Sequence, residues 1–195
     1  MKNNLATVVL YVATAELTIH EFAIKTPAVP NDPELHRLES LFACLRACKA
    51  WADGWLSIHP QNYVGCAFTL FYQFSHTLVS LFKLSTLEDP AWDKGMVRNT
   101  ANVLEILDRC TFNMKRCADF IAEPEDPEWN IFEKGVKMCQ TIKQGWEPLL
   151  MEVWFPSLPG NGIENEFAQP GAEISDVLPM NGLDDEFMME FFGPM

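Results

Sequence analysis

The six cysteines are the residues whose type first suggests metal chemistry in this 195-residue chain. Cys44 and Cys48 lie one helical turn apart, and Cys110 and Cys117 are seven residues apart, so each pair would share one face of a helix. A structural zinc site needs four ligands, usually supplied by C-x-x-C or H-x-x-x-H pairs, and the sequence contains neither spacing. Because unpaired cysteine is among the most buried residue types, we expect core thiols and predict no metal site and no cofactor.

Two histidines stand where a catalytic base with an orienting carboxylate is conceivable. His20 precedes Glu21, and His76 falls in the most apolar stretch of the chain. The motifs of an activated nucleophile do not accompany them, since the sequence has no G-x-S-x-G, no glycine-rich phosphate loop and no H-E-x-x-H. We therefore interpret these histidines as structural and predict no catalytic residues and no enzymatic activity.

A run of carboxylates near the C-terminus, Asp184-Asp185-Glu186, has the composition of a cation site. Helical isoprenoid-processing enzymes place two acidic clusters opposite each other across a deep cavity. The sequence offers no second cluster to face this one, and nothing around the run would hold it rigid. An isoprenoid-processing enzyme is therefore the alternative function, and its requirement is a cavity with converging carboxylates.

The same segment is better explained as a binding element for another protein. On a helix, Leu183, Phe187 and Phe191 repeat at i, i+4 and i+8, and Met188 and Phe192 widen that stripe. A helix of about ten residues is too short to be stable alone, so it would form in the groove of a coactivator. The alternative is that its aromatic rings pack back onto the body as a sixth helix. The predicted partner-binding residues are Leu183, Asp184, Asp185, Glu186, Phe187, Met188, Phe191 and Phe192.

The formal net charge of −13 is concentrated at the C-terminal end. Residues 1–143 hold 17 acidic and 14 basic side chains, whereas residues 144–195 hold 10 acidic side chains and neither Lys nor Arg. Phosphate recognition needs clustered basic residues, and the nearest approach to a cluster is the pair Lys115-Arg116. We predict no direct nucleic-acid contact by this chain.

The N-terminal apolar stretch does not have the pattern of a targeting segment. Tyr11, Thr14 and Glu16 interrupt it, and no run reaches the ~20 apolar residues of a membrane span. We expect an intracellular protein with free thiols and no membrane contact. A secreted helical protein held by three disulfides is the second alternative, and it requires that the cysteines be paired.

Apolar residues recur at helical spacing through most of the chain, which predicts five helices. The third is apolar on every side, as expected for the centre of a bundle. The first helix carries one broad apolar stripe that we expect the bundle to bury: Leu5, Val8, Val9, Val12, Ala15, Ile19 and Phe22. The predicted spans are about Asn4–Ile24, Pro33 to about His59, Tyr63–Leu84, Asp93 to about Ala122, and about Glu128–Glu147.

The composition changes after residue 155, where proline and glycine punctuate a stretch without sustained periodicity. We therefore predict an all-α fold, an irregular bundle of about five helices over residues 1–155. A flexible linker over 156–182 and an acidic-aromatic element over 183–195 follow, and together they form a mostly disordered acidic tail.

Four short motifs resemble the C-terminal half of the fungal-specific transcription factor domain. Thr18–Phe22 is similar to the "LHE" stretch of that domain, and Leu41–Cys48 and Leu81–Ser85 follow in the family's order. Glu88–Asp93 contains a Pro-x-Trp-Asp turn before a long helix, which is also typical of the domain. The resemblance, over about residues 5–150, implies a regulatory domain that acts in the nucleus. The body would regulate or self-associate, with a homodimer left open, and the acidic tail would recruit coactivators.

One departure from the family limits what the resemblance implies. Family members carry an N-terminal DNA-binding module with six cysteines in C-x2-C-x6-C spacing around two zinc ions. The six cysteines of this chain do not have that spacing, so neither zinc nor DNA binding is carried over to any residue here. The turn itself has a structural interpretation: we expect Asp93 to cap the fourth helix while Trp92 packs onto the third.

Overall fold

The computed structural model describes residues 2–26, 35–66, 69–120 and 131–156. Within these ranges the chain is helical and contains no β-strand, which confirms the predicted all-α class. Five helices have 18 or more residues. The elements are α1 (Lys2–His20), α2 (Phe22–Lys25), α3 (Leu35–Ser57), a 3-10 helix (Pro60–Gly65), α4 (Thr69–Thr86), α5 (Lys94–Thr100), α6 (Val103–Phe120) and α7 (Ile131–Trp154).

Helix α4 lies at the centre of the bundle, as its uniformly apolar sequence predicts. It contacts α1, α3, α5, α6 and α7, and most of its residues are buried. Two pairs of helices flank it: α1 packs along α3, and α6 packs along α7. The buried polar Gln73 of α4 is satisfied by the indole N–H of Trp51, 3.4 Å from its side-chain oxygen.

Stacked aromatic rings fill the middle of the bundle. The Trp55 ring lies 4.5 Å from Tyr63, 5.6 Å from Phe71 and 5.5 Å from Trp51 between ring centroids. The Tyr63 hydroxyl donates to the Trp55 carbonyl at 3.0 Å, which folds the 3-10 helix back onto the end of α3. The predicted third helix therefore starts at Thr69 rather than at Tyr63, since Tyr63 belongs to this 3-10 turn.

The predicted fourth helix is divided into α5 and α6 at Ala101 and Asn102. The Asn102 side-chain oxygen accepts from the amides of Leu104 at 3.1 Å and Glu105 at 3.4 Å, which is the geometry of an N-cap. The apolar period continues across this break, so periodicity alone predicted one helix. The capping role of Asn102, with Glu105 three residues later, is the signal that marks the boundary.

The expected turn before α5 is confirmed. Asp93 is the N-cap of α5 and accepts from the Gly95 amide at 2.8 Å. The Trp92 indole donates to the Leu84 carbonyl of α4 at 2.9 Å, and its ring meets Phe42 edge-on at 5.2 Å. Helix α7 extends beyond the predicted end at Glu147 and runs through Pro148 to Trp154.

Candidate interaction surface

The predicted partner-binding element lies outside the described residues. All of its members, Leu183, Asp184, Asp185, Glu186, Phe187, Met188, Phe191 and Phe192, belong to residues 157–195. The described part of the chain has other exposed surfaces, and one of these is apolar.

An apolar stripe on the outer side of α1 and α2 is exposed to solvent. Val8, Val12 and Ile19 are 56%, 61% and 73% exposed, and Phe22 is 74% exposed. The prediction that the bundle buries this face was wrong. We call the following residues the α1 stripe: Leu5, Val8, Val12, Ala15, Ile19 and Phe22.

The opposite face of α1 enters the core instead. Leu10, Ala13 and Leu17 are buried against α3. Gly54 of α3 allows the two helices to approach closely, because a Cβ at that position would lie 3.2 Å from the Leu10 side chain and 3.4 Å from that of Val9. The packing partner, rather than the apolar content of α1, thus selects which of its faces is buried.

The stripe continues past the end of α1 with little interruption. The Glu21 amide donates to the Leu17 carbonyl at 2.8 Å, and Glu21 itself has right-handed helical dihedral angles. In the described part of the chain, the stretch Leu5–Lys25, with mean hydropathy 1.3, is long and apolar enough to cross a membrane by length and composition alone. Its buried inner face also suits a helix of a folded domain.

The Glu21 carboxylate contacts His76 rather than its neighbour in sequence, His20. His76 Nε2 lies 2.6 Å from a Glu21 carboxylate oxygen and so joins α4 to the α1–α2 turn, while His20 lies 3.4 Å from the Ser40 hydroxyl. This second contact borders a shallow cleft. The residues that line the cleft are His20, His36, Glu39, Ser40, Phe42, Ala43 and Arg46.

The helix that carries Ser40 offers no oxyanion hole to its hydroxyl. Ser40 is on helix α3, whose interior amides are bonded within the helix and cannot form an oxyanion hole for it. Across the described ranges, no three His, Cys, Asp or Glu side chains converge as a metal site would require. The alternative of an isoprenoid-processing enzyme finds no support there, since the ring stack occupies the centre that a substrate cavity would need.

The cysteines pack as core side chains. All six are free, and every one except the half-buried Cys66 is buried. Burial raises the pKa of Cys44 and of Cys139 to about 12, and that of Cys117 to about 11. Free thiols are at odds with the alternative of three disulfides, and buried thiols with raised pKa values are poor nucleophiles.

We expect at most one thiol of the native protein to react rapidly with a thiol reagent at mildly alkaline pH. Cys66 is the candidate because the other five are buried. The reactive species is the thiolate, and a raised pKa lowers its population. All six should react once the protein is unfolded without reductant, which a colorimetric titration can count. A count below six in denaturant would indicate disulfides and contradict the structure.

A buried ion pair holds the family-like turn against the start of α3. The Arg37 guanidinium bonds a carboxylate oxygen of Asp89 through Nη1 and donates from Nε to the Thr26 carbonyl at 2.8 Å. The other Asp89 oxygen accepts from the Ala91 amide at 2.8 Å. Burial by itself would raise the pKa of Asp89, but the hydrogen bonds from Arg37 and Ala91 outweigh it and lower that pKa below its ordinary value.

A second surface groove runs between α6 and α7. Lys143 lies 2.7 Å from Asp108 across it, and this hydrogen bond raises the pKa of Lys143. Charged and amide groups dominate the groove, so it resembles a solvated helix interface more than a ligand pocket. The lining residues are Asp108, Thr111, Phe112, Lys115, Gln140, Lys143, Gln144 and Glu147.

Comparison with known proteins gives matches to transcription factors. A family model described as a C-terminal domain matches residues 60–192. The transcription factor opdL of Penicillium oxalicum is 35% identical over 140 residues, which are 71% of this chain and 25% of opdL. A protein of Aspergillus terreus named transcription factor is 36% identical over 72 residues, 37% of this chain and 12% of that protein. The chain thus spans a quarter or less of these relatives, and no solved structure matches it significantly.

The range that the family model matches includes some of the predicted motifs and leaves out others. It includes the Glu88–Asp93 turn and all eight predicted partner-binding residues, of which Phe192 is the last. It begins at residue 60 and so leaves out α1, α2 and α3, including the Thr18–Phe22 motif. The predicted partner-binding residues therefore fall inside the region that the family model describes.

Proposed function

Because the chain belongs to a C-terminal-domain family of fungal transcription factors, we propose that it acts in transcription regulation, in the nucleus and without catalysis. The relatives named above are transcription factors, and this chain corresponds to a quarter or less of their length. Its role is accordingly that of a regulatory part. The helical body, residues 1–155, is the scaffold, and the acidic tail carries the interaction with the transcription machinery.

The tail element binds a coactivator or another regulatory protein by coupled folding and binding. Phe187, Phe191 and Phe192 act as the anchors that enter a groove, because large aromatic side chains supply most of the energy in small interfaces. Asp184, Asp185, Glu186 and Glu190 steer the segment to a basic rim and keep its rings from collapsing inward. The observation that carries this proposal is the family match, which extends through Phe192 and so includes every predicted partner-binding residue.

The linker of residues 156–182 lets the element search for its partner at a distance from the body. A flexible chain of this length has a root-mean-square span of about 30 Å. The body contributes little charge of its own, since residues 1–143 carry 17 acidic and 14 basic side chains. This balance supports a function without direct nucleic-acid contact, and zinc is expected only in a separate DNA-binding module.

A reporter experiment tests the proposed role of the tail. Residues 156–195 are fused to a heterologous DNA-binding domain, and the fusion is expected to activate a reporter gene. Replacing Phe187 and Phe191 together with alanine should lower activation about tenfold or more, since it removes both anchors of the helix stripe.

Phe167→Ala is the matched control for that variant. Phe167 also lies between acidic residues of the same fragment, near Glu164 and Glu166, but outside the predicted element. It should leave activation unchanged. A fusion that is expressed but inactive, or one whose activity survives the double replacement, would remove the proposed role.

A further inference from the structure

Arg98 of α5 lies over two aromatic rings at the C-terminal end of α7. Its guanidinium carbon is 4.8 Å from the centroid of the Phe155 ring and 5.9 Å from that of the Trp154 ring. The Phe155 amide donates to the Met151 carbonyl at 2.9 Å, so Phe155 continues the last turn of α7. This cluster therefore lies at the point where the acidic tail leaves the helical body.

Two polar groups of the cluster lack the partner that their chemistry requires. In the described ranges no carboxylate forms an ion pair with Arg98, whereas Lys94, one helical turn earlier, pairs with Glu88 at 2.6 Å. The Trp154 indole N–H is buried, and no described residue accepts a hydrogen bond from it. A buried N–H without an acceptor is unfavourable, and a guanidinium that stacks on rings keeps its N–H edge available to a carboxylate.

We propose that Arg98 and Trp154 form a carboxylate-binding site, and that its ligand is the segment Glu164–Glu166 of the same chain. These two glutamates lie outside the described residues and are the first acidic side chains after Phe155. Arg98 binds one of their carboxylates through its N–H edge, and the indole N–H donates a further hydrogen bond to it. The inference concerns how the tail is attached to the body, and it holds whether or not the tail recruits a coactivator.

The short connection favours these glutamates over the other carboxylates of the tail. Glu164 is nine residues beyond Phe155, whereas Asp184 is 29 residues beyond it. The probability that a flexible chain returns to its starting point falls with about the −3/2 power of its length, so the nearer carboxylate is favoured about sixfold. Tethering also gives it an effective concentration in the millimolar range, an advantage that an acidic peptide of another protein does not have.

The attachment shortens the part of the tail that can move freely. With Glu166 held at the body, about 16 residues of the predicted linker remain, and their root-mean-square span is about 22 Å instead of about 30 Å. The site and the segment that fills it both lie within residues 60–192, which one family model matches. The acidic-aromatic element therefore searches for its partner closer to the helical body.

Hydrogen exchange of the Trp154 indole, followed by nuclear magnetic resonance on the full chain, tests the inference. The signal is assigned by its loss in Trp154→Phe. Replacing Glu164 and Glu166 together with glutamine should make this proton exchange about tenfold faster, because a charge-assisted hydrogen bond is lost. Arg98→Gln should act in the same direction, and adding the two glutamines to it should have little further effect, since such non-additivity indicates a direct contact.

Glu173→Gln with Asp176→Asn is the matched control. It removes the same formal charge from the predicted linker at positions farther from Phe155. It should leave the exchange rate of the Trp154 indole unchanged. The helical circular dichroism should be the same in both linker variants, because their changes lie outside the described helices.

Three results would overturn the inference. The first is a Trp154 indole whose exchange ignores the replacement of both glutamates. The second is an exchange rate that responds instead to neutralising Asp184, Asp185 and Glu186, which would assign the site to the acidic-aromatic element. The third is an indole that becomes protected only when polyglutamate is added to the full chain, which would assign the site to a carboxylate of another molecule.

Discussion

Replacing Trp55 with alanine is expected to lower the free energy of unfolding by about 4 kcal/mol or more. Trp55 is fully buried, and its ring contacts Trp51, Tyr63, Phe71 and Phe74. Removing it takes away its transfer free energy and leaves a cavity, and it also removes ring pairs that contribute about 0.5–1.5 kcal/mol each beyond burial. Urea denaturation followed by circular dichroism gives the difference directly.

Trp55→Phe is the control for that replacement. It keeps an aromatic ring in the stack, and within the described residues the indole N–H that it removes makes no stronger contact than one with the Cys110 thiol. We expect Trp55→Phe to lower the free energy of unfolding by less than half as much as Trp55→Ala does. Because domains are stable by about 5–15 kcal/mol in all, the alanine variant retains little margin and should be measured at low temperature. If the free energy of unfolding of Trp55→Ala were less than about 1 kcal/mol below that of the parent, Trp55 would not be central to the core.

The sequence was sufficient for the fold class because each long helix has an unbroken apolar period. It identified α4 as the central helix, since apolar residues on every side leave no face that tolerates water. It also anticipated the turn at Trp92 and Asp93, where a capping residue follows a large ring. These features are local, and local sequence determines them.

The sequence did not determine which face of α1 is buried. That helix carries apolar residues on both sides, with Leu10 and Leu17 opposite Val12 and Ile19. Periodicity detects a helix with two such faces but does not rank them, because the choice depends on the surface of α3 that meets it. The close approach at Gly54 is a contact between residues more than forty positions apart, and a single amino-acid sequence carries no sign of it.

The predicted C-terminal end of α7 was wrong for a different reason. The predicted fifth helix ends at Glu147, yet α7 continues to Trp154 although Pro148 removes one backbone donor. Trp146 and Leu150 are buried on either side of that proline, and their packing offsets the missing hydrogen bond. Long-range burial therefore outweighed the local signal at this site.

Breaking the buried ion pair by Arg37→Met is expected to lower the free energy of unfolding by about 3–5 kcal/mol at neutral pH. The Arg37 and Asp89 side chains are only 12% and 1% exposed, so the variant leaves a carboxylate buried without its partner. It also removes the hydrogen bond to the Thr26 carbonyl, which ties the end of α2 to α3. Lys49→Met is the matched control: its pair with Asp53 is 42% and 56% exposed, and its loss should cost about 0.5 kcal/mol or less.

The pH dependence of that difference identifies the carboxylate as its source. Pairing lowers the pKa of Asp89 in the folded parent below the ordinary 3.8, so its contribution is complete above pH 3.8 and is lost as the pH falls through the lowered pKa. In Arg37→Met, burial without a partner disfavours the charged form of Asp89. Protonation of Asp89 at acidic pH removes this unfavourable charge, so the variant loses less stability there. The gap in stability between parent and variant should therefore be widest near neutral pH and narrow below pH 3.8. A gap of the same size at all pH values would mean that lost packing of the Arg37 stem, and not the unpaired charge, destabilises the variant.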